Sequence, residues 1–140
     1  MDVLVDSASP DFLENISTGR HRLRADEPLS AGGQDAAPSP YELLLAALGS
    51  CKVITLRIYA RRRGWPLQSV QIRLSHDKVH ADDCASCEGP GSLIDRIEVA
   101  IRLQGELSAE QRRTLLAIAE KCPVQRTLTS QIQIDTRLEP

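Results

Sequence analysis

The stretch Ser39-Pro40-Tyr41-Glu42-Leu43-Leu44-Leu45-Ala46-Ala47-Leu48-Gly49-Ser50-Cys51-Lys52-Val53-Ile54 decides how the rest of this chain must be arranged. Ser39 suits a helix N-cap, Pro40 suits the first helical position where no N–H is needed, and Glu42 can reach back to the Ser39 N–H. A helix therefore starts here. It runs through Leu56, Ile58 and Tyr59 until Arg61, Arg62, Arg63 and Gly64 end it. Up to about Ile54 its apolar residues occupy every side, which is the pattern of a helix enclosed on all faces. A chain of 140 residues can hardly enclose such a helix alone, so the pattern predicts an oligomer.

Outward from that helix, the N-terminal side is extended. Val3 and Val5 alternate with polar neighbours, and the segment from Asn15 to Ala25 splits into two short stretches turning near Thr18 and Gly19, which predicts a β-meander. Residues 27–39, with Gly32, Gly33 and Pro38, read as a loop. On the C-terminal side Val70, Ile72 and Leu74, and later Ile97, Val99, Ile101 and Leu103, alternate with polar residues as half-buried strands do. Ser108 and Gln111 form a second capping box, and Leu115, Ile118, Ala119 and Cys122 fall on one apolar face, so Cys122 points towards the core. Pro123 stops that helix or opens a short new one, and Ile132 and Ile134 mark a final strand. The order of elements is α+β, in a single domain over residues 1–140.

With 41% apolar and 26% charged residues the composition is that of a soluble globular protein. A net charge of -2 provides no basic field to gather nucleic acid, and the Arg61-Arg62-Arg63 run is balanced by acids elsewhere. Asp2 and Asp6 stand where a secretory signal needs positive charge, and no segment reads as a membrane span, so a cytoplasmic protein is expected. In a reducing compartment its four cysteines are catalytic, metal-binding or plain core residues rather than two disulfides.

Cys51 and Cys122 each read by themselves as small core residues. Together, one thiol in the all-apolar helix and one on an inward helical face beside Pro123 could form a redox pair. A cysteine next to a helix start also lies near backbone N–H groups that favour the thiolate. Gly32-Gly33 and Pro38 to Cys51, followed about seventy residues later by Lys121-Cys122-Pro123-Val124, resemble the two motifs of the OsmC/Ohr superfamily, from Gly32 to Thr136. The resemblance implies an OsmC-like fold: an interlocked homodimer with a buried central helix packed against antiparallel β-sheet, and active sites at the interface. It further implies a thiol-dependent peroxidase in oxidative stress defence, in which Cys51 reduces an organic hydroperoxide and Cys122 resolves the sulfenic acid to a disulfide. An external dithiol or lipoylated protein would restore the thiols. No metal, haem or flavin cofactor is implied, because sulfur is the redox centre.

One position departs from the reductases, which carry a glutamate right after the helix-opening proline and pair it with an arginine; here that position is Tyr41. At about 100° per residue Tyr41 lies roughly 80° and Glu42 roughly 180° from Cys51 around the helix, so Glu42 does not replace it and is expected to cap. Arg20, Arg22 and Arg24 are the first basic residues and read as a solvated strand face. The departure leaves a second reading, a non-enzymatic OsmC-like protein that binds an apolar ligand at the dimer interface. A third rests on His76, His80, Cys84 and Cys87, whose H-x3-H-x3-C-x2-C spacing supplies four zinc-type ligands within twelve positions. That segment reads as a metal or redox-sensing module, or as a plain loop. His21, beside arginines, carries no signal.

Overall fold

The computed structural model describes residues 1–80 and 93–140, which form two compact units, Met1–Ala46 and Ala47–Pro140. In the first, β1 (Leu4–Ser7), β2 (Glu14–Thr18) and β3 (His21–Ala25) form the expected antiparallel meander in the order β1-β2-β3. Ile16 pairs with Val5 on one side and Leu23 on the other, and the β2–β3 turn passes through Gly19. The following loop, with a short 3-10 turn at Leu29–Ala31, is organised around one buried carboxylate. Asp26 Oδ1 accepts from the Glu27 N–H at 2.8 Å, and Oδ2 accepts from the Gln34 and Ala36 N–H groups at 3.2 and 3.1 Å. These bonds, that of Ala36 first, hold the Asp26 carboxyl below the usual aspartate range against the opposing effect of burial.

A depressed folded-state pKa means that the stabilisation by Asp26 is fully present above the unfolded value of about 3.9 and is lost as pH falls through the folded value. Asp26→Asn is therefore expected to lower the melting temperature at neutral pH, with the gap from the native protein closing below about pH 4. Thermal denaturation of both proteins from pH 7 to pH 3 checks this, and a gap constant across that range would contradict it.

Helix α1 (Pro40–Arg63) starts in the first unit and continues in the second. Its predicted capping box is present: the Ser39 N–H donates to Glu42 Oε2 at 2.7 Å and the Glu42 N–H to Ser39 Oγ at 3.3 Å. Leu48, Gly49, Lys52, Leu56 and Ala60 are its buried residues, a stripe repeating every fourth position. Within one chain the helix is thus buried along one stripe and not on all sides as its pattern predicts; Ile54 and Ile58 remain 55% and 47% exposed. Among the described residues, α1 is also the helix long and apolar enough, by length and composition, to cross a membrane, which corrects the expectation that no segment qualifies. Small neutral residues such as Gly49, Ser50 and Thr55 interrupt the apolar run without lowering its average much. The core helix of a soluble protein passes the same test.

In the second unit β4 (Ser69–His80) and β5 (Leu93–Gln104) pair antiparallel over their full lengths, longer at the far end than the alternation predicts. Ile72 and Leu74 turn inward while Gln71, Arg73 and Ser75 face solvent. A methyl group on Gly49 would come within 2.8 Å of Leu74 Cδ1, so glycine lets α1 lie close to β4. Leu56, Ala60, Leu67, Leu115 and Ala119 form the core, with Trp65, Val70, Ile101 and Ile118 packed around it. Helix α2 (Ala109–Ala119) begins with the predicted Ser108/Gln111 capping box, and Arg112 ties it to β5 through the Leu103 and Gly105 carbonyls at 2.8 and 3.0 Å.

Two expectations fail at the C-terminus. Cys122 does not lie on α2, which ends at Ala119; it is the N-cap of a separate helix α3 (Pro123–Leu128), the alternative that Pro123 allows. No strand follows α3, and Ile132 and Ile134 are 53% and 82% exposed. Alternation supplies one apolar face, but a strand exists only where another edge takes its N–H and C=O groups.

Candidate active site

The second unit places Cys51 and Cys122 side by side. Cys51 lies on α1, half-buried, in an open depression of about 340 Å3 lined also by Ala47, Ser50, Ile54, Thr55, Ile58 and Pro123. Its walls are mainly aliphatic. Cys122 is fully buried behind it, and both thiols are free.

The geometry of α3 fixes the second thiol. Cys122 has an extended backbone, as N-caps do, and its Sγ accepts from the Gln125 N–H at 3.3 Å, the sulfur counterpart of a serine cap. Burial pushes the Cys122 thiol up; the Gln125 N–H pulls it down, the neighbouring Cys51 pushes it up again through a hydrogen bond and through charge, and Lys52 opposes this. The net effect is upward, so Cys122 is held as a neutral thiol near pH 7. One thiol faces the depression and the other is buried and hard to ionise.

Lys52, which sequence reasoning leaves aside, is the third member of the site. Its side chain is fully buried, with Nζ donating to the Ala119 carbonyl at 2.8 Å and to Gln125 Oε1. Gln125 Nε2 in turn donates to Glu120 Oε2 at 2.8 Å, and Glu120 Oε1 stands 3.9 Å from Lys52 Nζ. One lysine on the buried stripe thereby joins α1 to the α2–α3 junction. The signal that could have found it is a lysine at the i+4 position between Leu48 and Leu56.

The other candidates fare differently. Glu42 is occupied by its cap, as expected, and Tyr41 is exposed. Arg20, Arg22 and Arg24 stand exposed on the β2–β3 hairpin, and Arg22 donates to the Gly19 and His21 carbonyls of its own turn. His76 Nε2 lies 2.7 Å from Asp95 Oδ1, which also accepts from Lys78 at 3.0 Å. The His76 bond first and the Lys78 bond second hold the Asp95 carboxyl low. Cys84 and Cys87 lie outside the described residues. His80 is on β4 and exposed, and among the described residues no three His, Cys, Asp or Glu side chains form a metal-sized cluster.

The chain resembles solved structures in fold at low identity. An organic hydroperoxide resistance protein OsmC from Legionella pneumophila superposes with a TM-score of 0.65 at 19% identity, over 91% of this chain and 88% of that one. An organic hydroperoxide resistance protein from Elizabethkingia anophelis gives 0.67 at 14% identity, over 94% and 89%. An OsmC like protein from Mycoplasma pneumoniae gives 0.69 at 15%, over 91% and 85%. No curated protein matches the sequence. The OsmC-like protein family matches residues 32–137, from the glycine pair through both cysteine motifs. This chain is therefore an α+β member of the OsmC-like protein family.

Proposed function

We propose that the protein is a thiol-dependent peroxidase that reduces organic hydroperoxides, with Cys51 as nucleophile and Cys122 as resolving thiol. The observation that carries this reading is the unequal pair: an accessible Cys51 in an aliphatic depression, backed by a buried Cys122 that is held protonated. The Cys51 thiolate attacks the O–O bond; sulfur takes one oxygen, the alkoxide leaves and is protonated to the alcohol, and Cys51 becomes a sulfenic acid. The Cys122 sulfur then displaces that oxygen as water and forms the Cys51–Cys122 disulfide. A dithiol, free or carried as a lipoyl group on a protein, restores both thiols by exchange and leaves as its own disulfide. The chemistry needs no cofactor.

A homodimer interlocked around α1 accompanies this reading, because Ile54 and Ile58 line the Cys51 depression and a second subunit covering them would close it around an alkyl tail. A cytoplasmic setting fits a site that works through free thiols. Cumene hydroperoxide is expected to oxidise the reduced protein at least tenfold faster than hydrogen peroxide, since only the former gains from aliphatic walls. Stopped-flow rates with mass mapping of the thiols check this, and equal rates for the two oxidants would remove the organic preference. Tyr41 at the reductase glutamate position favours a second reading, a non-enzymatic apolar-ligand carrier. In that case the thiols survive one equivalent of either peroxide.

A further inference from the structure

Resting on that reading, we propose that Lys52 is a positioning residue for regeneration: it anchors the Cys122 cap and supports negative charge there, so that the external dithiol attacks Cys51 and Cys122 departs as the thiolate.

Two observations carry this independently of the family. The first is accessibility: of the two sulfurs in a Cys51–Cys122 disulfide, Cys51 faces the depression and Cys122 is fully buried, so an incoming thiolate meets Cys51. Its attack forms a mixed disulfide on Cys51 and breaks the bond to Cys122, which takes the electron pair. The second thiol of the reductant then attacks the mixed disulfide, forms the reductant's own disulfide and frees Cys51. The second observation is the surroundings of the departing sulfur. A buried lysine is costly unless its N–H groups are bonded, and the groups that satisfy Lys52 are the last carbonyl of α2 and the side chain of Gln125. Gln125 is also the residue whose backbone N–H caps Cys122 Sγ. Lys52 thus clamps the residue that holds the thiol, and its positive charge opposes the burial that disfavours a thiolate. The titratable or charged groups that act on Cys122 are Cys51 and Lys52 on α1; Lys121 beside it and Arg126 on α3 are exposed, and Glu120 follows α2. Glu120 reaches the network through Gln125, with most of its side chain in solvent, where its ion pair with Lys52 counts for little.

The test titrates the 240 nm thiolate absorbance of full-length protein carrying Cys51→Ser, Cys84→Ser and Cys87→Ser, which leaves Cys122 as the single thiol. Lys52→Met in that background is expected to raise the Cys122 midpoint by about one pH unit, a tenfold loss of thiolate at a given pH. Lys52→Gln, which keeps an amide donor without charge, is expected to shift it the same way and covers the case in which the methionine variant fails to fold. An unchanged midpoint in either folded variant overturns the proposal. A second arm adds 2-mercaptoethanol to the oxidised protein with Cys51 and Cys122 intact. The adduct is expected on Cys51, forming about tenfold more slowly in Lys52→Met, whereas an adduct on Cys122 overturns the direction of attack. The titration uses no peroxide and no disulfide. Absence of a Cys51–Cys122 disulfide would therefore sink the peroxidase reading, while the midpoint still decides the part played by Lys52.

Discussion

Cys51→Ser is expected to take organic hydroperoxide turnover to the uncatalysed background, a loss on the order of a thousandfold or more, because a serine hydroxyl cannot accept the peroxide oxygen as a thiolate does. Cys122→Ser is expected to separate the two half-reactions. Its first oxidation should proceed near the native rate, since the depression around Cys51 is untouched, and the product should be a Cys51 sulfenic acid one oxygen atom heavier than the reduced chain. Multiple turnover then stops. Coupled consumption of cumene hydroperoxide with dithiothreitol, together with intact-mass analysis after one equivalent of oxidant, checks both variants. Native turnover by Cys51→Ser would eliminate Cys51 as nucleophile, and sustained turnover by Cys122→Ser would remove the resolving role. Because Cys122 is also the cap of α3, the serine variant keeps an acceptor for the Gln125 N–H, so a loss of recycling would not reflect a lost cap.

Gly105→Ala is expected to be the most damaging glycine-to-alanine change among the described residues of the second unit. Gly105 sits between β5 and α2 with φ 139, a conformation that side chains rarely adopt, and a methyl group there would stand 2.0 Å from the Pro66 carbonyl oxygen. That oxygen belongs to backbone and cannot rotate away, and the Gly105 carbonyl also accepts from Arg112. Strain and overlap together are expected to cost on the order of 3 kcal/mol, or roughly 10 °C in melting temperature. Thermal denaturation by circular dichroism measures it. A melting temperature within a degree or two of the native value would mean that the β5–α2 connection yields more easily than its contacts imply.

Local chemistry was legible wherever it is written in neighbouring residues. Both capping boxes, Ser39/Glu42 and Ser108/Gln111, form as their spacing predicts, because a cap is made by four consecutive residues and needs nothing distant. The meander and the alternation of β4 and β5 follow for the same reason. The end of the second helix was misread because Leu115, Ile118, Ala119 and Cys122 keep a helical period through a break. Periodicity reports which residues turn inward and does not report whether the backbone between them stays helical. The alternation of Ile132 and Ile134 misled in the same way, since strand pairing depends on an edge that sequence spacing does not contain.

By itself, then, the sequence determined where α1 begins, the antiparallel meander and the family. Each of these is carried by short-range spacing or by a motif. Only the tertiary structure decided that Cys51 faces a depression while Cys122 is buried as the cap of α3, that α1 buries a single stripe within one chain, and that Lys52 lies on this stripe with its amine bonded to Ala119 and Gln125. Those properties arise from contacts across some seventy residues of chain. Burial and the neighbours that a side chain meets there, rather than its own type, set whether a thiol is attacked, ionised or held in reserve.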